Sequence, residues 1–170
     1  MTRIQETLTR MLHDRGYNLY LETEYGTIWS RPDAPNLFVL SNIFDQLAID
    51  GLKEYKIKCE ALHIRHGIVV YRDSITSDAR KGIACRDTIH IEAFCEHELV
   101  FPIVDHVLQP KFVVCSETDR ARIEARYGQL GLPKMKLDDP VVRYYNWPRD
   151  TIVRIEPKIT KLQPSYRIVK

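Results

Sequence analysis

The chain has no CxxC pair; its four cysteines, Cys59, Cys85, Cys95 and Cys115, lie far apart. Such spacing does not suggest a disulfide framework, so reduced thiols in an intracellular compartment are expected. No apolar run approaches the roughly 20 residues that a bilayer span requires, and the N-terminal stretch has no signal-peptide core. A membrane role is therefore not expected. Internal repeats, coiled-coil heptads and low-complexity segments are missing too. So is the concentrated basic patch of a free-standing nucleic-acid binder.

What remains is an ordinary globular composition. The 170 residues are 44% hydrophobic and 28% charged, enough chain to bury roughly 70% of its unfolded surface in one domain or two small ones. Charge differs by region. Residues 1–100 carry 12 Lys and Arg against 15 Asp and Glu, a net of −3, while residues 101–170 carry 13 against 8, a net of +5. The acidic first region argues against strong autonomous DNA binding, and the basic second region suits an acidic protein partner.

Local signals outline the elements. Thr2 and Gln5 form a T-x-x-Q capping box ahead of Ile4, Leu8, Met11 and Leu12, and Gly16 supplies a stop, predicting a helix over 2–15. Residues 24–36, with Gly26, Pro32 and Pro35, read as a loop, and 37–40 as a short buried strand. Asp50 is placed to cap a helix with Leu52, Tyr55, Cys59 and Leu62 on one face. A β-branched strand over 67–71, a short helix ending near Ala84 and capped by Thr76 or Ser77, and an alternating strand over 88–94 follow. Phe101 and Pro102 mark a seam. Beyond it, Ser116 and Asp119 open a helix carrying Ile123 and Tyr127 that Gly128 ends. Pro140 suits the first turn of another helix. Strands over 151–156 and 165–169 close the chain around Pro157 and Pro164. The fold class is therefore α+β: a small α/β domain over 1–102, then a compact mixed α/β domain over 103–170.

The second domain carries five short elements in order: His106, Leu108, Pro110 and Lys111; a helix; Leu132, Pro133 and Lys134; Asp139, Pro140, Arg143 and Tyr144; and Tyr166 with Arg167. That order resembles the C-terminal assembly domain of the small RNA polymerase subunit called subunit 5 in eukaryotes, which archaea possess as the assembly domain alone. The first domain is similar in order to the jaw domain of the eukaryotic form, through Asp14 to Tyr17, the strand over 67–71, the segment from Ile75 to Lys81, and the acidic stretch over 94–100. Departures stand at Ser77 and Asp78 in place of the family's Pro and Ser, at Phe112 where a second His is frequent, and at Asp150 where Gly is common. They suggest a divergent copy, one that a large DNA virus could encode.

The resemblance implies a non-catalytic subunit without cofactor or metal. It would dock on the largest polymerase subunit and contact other polymerase subunits, without forming a homo-oligomer. Docking is expected through His106, Pro110, Lys111, Pro133, Asp139, Pro140, Arg143, Tyr144, Tyr166 and Arg167. The prolines fix backbone angles, and Tyr144, Tyr145, Trp147 and the arginines are residue types that carry interface energy. They are equally suited to filling a small core. Thr76, Ser77, Arg80 and Lys81 would lie near downstream duplex DNA as a weak, sequence-independent contact, with Asp78 opposing it. The compartment would be the nucleus for a cellular enzyme, the host cytoplasm or the virion for a viral one.

Two other classes compete. Pro32 and Asp33 with Glu54, Tyr55 and Lys56 mimic the PD…ExK pattern of a metal-dependent nuclease, although Tyr55 on a helical stripe would splay Glu54 from Lys56. A free-standing nucleic-acid-binding module is the other. Cys59, His63 and His66 have a metal-like spacing, but Cys59 belongs to the apolar stripe and is better read as a buried thiol. His106 reads as a hydrogen-bonding structural residue, while His13, His90 and His97 show no partner in the sequence.

Overall fold

The computed structural model describes residues 2–85, 89–128, 131–158 and 163–170. The chain is α+β and divides into two compact units, Met1–Phe101 and Pro102–Lys170.

The first unit opens with α1 (Arg3–Asp14). Its capping box is closed, with Thr2 N donating to Gln5 Oε1 at 3.0 Å and Gln5 N to Thr2 Oγ1 at 3.4 Å. Gly16 ends it at φ 82°, in the left-handed region that glycine enters without steric cost. Next come β1 (Asn18–Thr23), β2 (Gly26–Arg31) and β3 (Ala34–Leu47), an antiparallel meander. The loop expected over 24–36 is therefore mostly strand. Pro32 occupies only the tight turn between β2 and β3, and Pro35 precedes Leu37, where β4 begins to pair with β3, so neither interrupts that ladder.

The unit continues with α2 (Ile49–Ala61), β4 (His66–Ile75), α3 (Ser77–Ala84) and β5 (His90–Cys95), in a sheet ordered β1-β2-β3-β4-β5. Thr88, expected to begin the last strand, lies outside the described residues. Asp50 does not cap α2: the cap is Ala48, without a side-chain bond, and Asp50 sits in the first turn 3.5 Å from Lys53. Thr76 does cap α3, its Oγ1 accepting from Ala79 N at 3.3 Å.

Strands β3, β4 and β5 run parallel and lie in sequence order, so α2 and α3 are successive crossovers of the same hand and fall on one sheet face. There Phe38, Leu40, Val69 and Ile91 pack with Leu52, Tyr55, Cys59 and Ala79. Alternation turns Leu37, Val39, Ile68 and Glu92 to the opposite face. Helix α1 covers that face, since Arg15 bonds Glu92 and His13 meets the Trp29 ring edge-on at 5.5 Å.

The second unit holds β6 (Lys111–Val114), α4 (Glu117–Tyr127), β7 (Lys134–Met135), α5 (Pro140–Tyr145), β8 (Ile152–Glu156) and β9 (Ser165–Val169). The sheet order is β6-β8-β9-β7, parallel only between β7 and β9. Of the expected loop between β8 and β9, residues 159–162 lie outside the described residues. Val153, Val169 and Met135 face α5 through Val141 and Val142, while Ile152 and Ile168 face α4 through Ile123. This sheet, too, is covered on both sides.

Tyr55 is the keystone of the first core. It is 1% exposed, stacks on Phe38 at 5.7 Å, and its hydroxyl donates to Phe38 O at 2.6 Å. A Cβ at Gly67 would come within 2.2 Å of that hydroxyl. Gly67→Ala must therefore push a packed ring off its hydrogen bond, which should cost about 3 kcal/mol. Urea unfolding should show a lower midpoint at unchanged slope, and an unaltered midpoint would show that the ring yields freely.

Candidate functional site

The motif residues of the second unit sit where turns meet regular elements. Pro110 leads into β6, which Lys111 opens, and Pro133 leads into β7. Asp139 caps α5, its Oδ1 accepting from Val141 N at 2.9 Å, with Pro140 in the first turn, where the missing N–H costs nothing. Pairing splits the last two motif residues. Tyr166 shares the α4 face with Ile168, and Arg167 points to the α5 face. His106 is exposed, and its Nδ1 accepts from Leu108 N at 3.2 Å.

The aromatics divide differently from the expected interface set. Tyr144 is 4% exposed, so its ring belongs to the core of this unit. Tyr145 stacks on Trp147 at 4.8 Å, and Trp147 meets Phe112 at 6.3 Å, all against the core beneath α5. Phe112, Tyr145 and Trp147 pack on that core while staying partly exposed. Pro133, Pro140, Lys111 and Arg167 remain exposed.

In the first unit, Ser77, Arg80 and Lys81 line one open depression with Ile75 and Ala84. Lys81 stands 3.6 Å from Asp78, so part of its charge is already offset.

The metal-like spacing noted in the sequence does not bring Cys59 and His66 together. Cys59 lies in the core between α2 and the sheet, where burial pushes its thiol up to about 11, while the His66 side chain lies on the opposite face. A cluster the sequence did not reveal sits there: His66, His90 and Glu92 bring possible ligand atoms within 4.8 Å of one another. Glu92, however, is held by Arg15 through bonds of 2.9 and 2.8 Å, and His66 Nε2 donates to it at 2.7 Å. A buried guanidinium against the carboxylate opposes a second cation, so the cluster reads as a clamp joining α1 to the sheet. The nuclease pattern also dissolves. Glu54 and Lys56 lie on α2, where Glu54 pairs with Lys58 at 2.8 Å and Lys56 donates to Gly82 O at 3.4 Å.

Comparison with known proteins bears on both units. The family model "RNA polymerase Rpb5, C-terminal domain" matches residues 101–169. The chain is 30% identical to the Caenorhabditis elegans protein "DNA-directed RNA polymerases I, II, and III subunit RPABC1", over 90% of this chain and 86% of that one. The Caenorhabditis briggsae counterpart is 29% identical with the same coverage. One from Dictyostelium discoideum is 25% identical over 91% of this chain and 88% of its own length. The chain belongs to the Rpb5 family of RNA polymerase subunits. It is a non-catalytic member of that machinery.

Two departures of this Rpb5-family chain now have physical accounts. Phe112 packs its ring beside Trp147. Asp150 stands at φ 67°, a backbone state that suits glycine, and Asp tolerates it through its own polar contacts. Its carboxylate pairs with Lys170, whose hydrogen bond holds it below the usual carboxylate range.

The clamp makes a pH prediction. Burial pushes the Glu92 carboxyl up, but the Arg15 charge and the hydrogen bonds from His66 and Arg15 outweigh it and hold it at about 2, against an ordinary 4.5. A folded-state value below the unfolded one gives stability that is complete above about pH 4.5 and lost as pH falls toward 2. Glu92→Gln should cost about 3–5 kcal/mol at pH 7 by leaving Arg15 uncompensated. In urea titrations the gap from wild type should close between pH 4.5 and 2. A gap independent of pH would show that the carboxylate charge is not what stabilises.

Proposed function

We propose that this chain is a scaffolding subunit of a multisubunit DNA-directed RNA polymerase. Its Pro102–Lys170 unit acts as the assembly domain on the largest subunit, and its Met1–Phe101 unit as a jaw beside downstream DNA. The observation that carries this reading is the family match over residues 101–169, together with the exposure of Pro133, Pro140, Lys111 and Arg167 at the surface of that unit. Prolines at turn and cap positions fix those segments before a partner arrives, which lowers the entropy cost of docking. The +5 charge of residues 101–170 favours an acidic partner surface. Its compartment follows the polymerase: the nucleus of a eukaryotic cell, or host cytoplasm and virion for a viral enzyme.

The jaw role rests on α3. Thr76 caps it, Arg80 stands at its middle and Lys81 in its last turn, giving two adjacent cations on one short helix. Asp78 offsets Lys81, so the contact with phosphate is weak and sequence-independent.

The full chain should copurify with the largest polymerase subunit and show little affinity for duplex DNA by itself. Salt-dependent DNA binding by the isolated chain, with no affinity for a polymerase subunit, would favour a free-standing nucleic-acid-binding module instead. In assembled polymerase, Arg80→Glu with Lys81→Glu should reduce crosslinking of this chain to downstream DNA several-fold without loss of assembly. Unchanged crosslinking would remove α3 from the DNA path.

A further inference from the structure

Val107 and Leu108 are 80% and 84% exposed, more than any other large apolar side chain among the described residues. Singly exposed aliphatics are ordinary, but adjacent ones on a fixed turn are not. This turn is fixed from several directions. Leu108 N donates to His106 Nδ1 at 3.2 Å and Gln109 N to His106 O at 2.9 Å. From far along the chain, Lys158 Nζ donates to the carbonyls of His106 and Val107, both at 3.0 Å. Pro110 then fixes the exit. None of these bonds buries the two side chains. They hold the backbone so that Val107 and Leu108 stand outward, and such preorganisation lowers the cost of ordering on binding.

The same bonds set the electrostatics. The Lys158 ammonium is pinned against the turn with two of its three N–H groups engaged. Lys111 follows the turn but stands 3.8 Å from Glu156, and Asp105 precedes the turn, so the Lys158 ammonium is the positive charge set directly against the backbone of the tip. An apolar tip on a cationic base is complementary to an apolar socket rimmed by carboxylates.

We propose that Val107 and Leu108 form a plug that enters such a socket on the largest polymerase subunit. This inference rests on the docking function proposed above and specifies the chemistry of its contact. Lys158 is a positioning residue, and the two aliphatic side chains make the contact.

The test measures binding of the full chain to the purified largest polymerase subunit from the same source, at low and high salt. Val107→Ser combined with Leu108→Ser should weaken binding at least about 30-fold, the scale of an interface hot spot. Thermal unfolding should be unmoved, because both sites are exposed. Leu108→Glu should bind about tenfold more weakly than Leu108→Lys, whose charge suits a carboxylate rim. Ile57→Ser, an exposed apolar site on α2, should leave binding unchanged.

If wild type binds and the double serine variant stays within about twofold of it, the plug is overturned while the docking function stands. Equal loss for the Glu and Lys variants overturns the carboxylate rim. If wild type self-associates in sedimentation, and the double variant is monomeric with full subunit binding, the tip is a contact between copies and the proposal fails. No affinity of wild type for the subunit brings down the docking function itself.

Discussion

The central strands of each sheet are covered on both faces by helices of their own unit, and that constraint governs what a partner can reach. In the first unit, α1 lies on one side and α2 with α3 on the other, so the apolar faces of β3 and β4 are consumed internally. In the second, α5 and α4 do the same. A docking protein therefore meets turns, sheet edges and the backs of helices. Those are the places where Pro110, Pro133 and Pro140 stiffen the backbone, and where Val107 and Leu108 project. Tyr144, by contrast, serves the interior.

Burying both faces of the first sheet required a polar joint. Arg15 reaches Glu92 across 77 residues of sequence, and His66 supplies a further donor to the same carboxylate. Because an ionised carboxylate only accepts, the His66 proton resides on Nε2 in this bond. Such a network fixes the position of α1 more narrowly than apolar contact would, at the expense of sensitivity to acid.

Much of the helical architecture was legible because helix ends are local. Thr2, Thr76, Ser116 and Asp139 each bond a backbone N–H two or three residues on, and a sequence shows that spacing directly. Strands were harder to see. Gly26, Pro32 and Pro35 read as loop residues, yet they fall at the start of β2, in a turn and ahead of the β4 pairing, where they cost little. The four residues of β6 and two of β7 carry no periodicity of their own and become strands only through pairing. The clamp at Glu92 and the inward turn of Tyr144 depend on distant chain segments, so no local pattern could announce them. The five ordered elements of the second unit pointed to the family, although they did not reveal that Tyr166 and Arg167 face opposite ways.

If the second unit carries the contact with the polymerase, side-chain footprinting of the free chain against the assembled enzyme tests it most directly. Labelling at residues 106–111 and 133–143 should fall in the assembly, while Tyr20 on the edge strand β1 keeps its free-chain reactivity. Unchanged labelling throughout 102–170, with protection confined to the first unit, would contradict it.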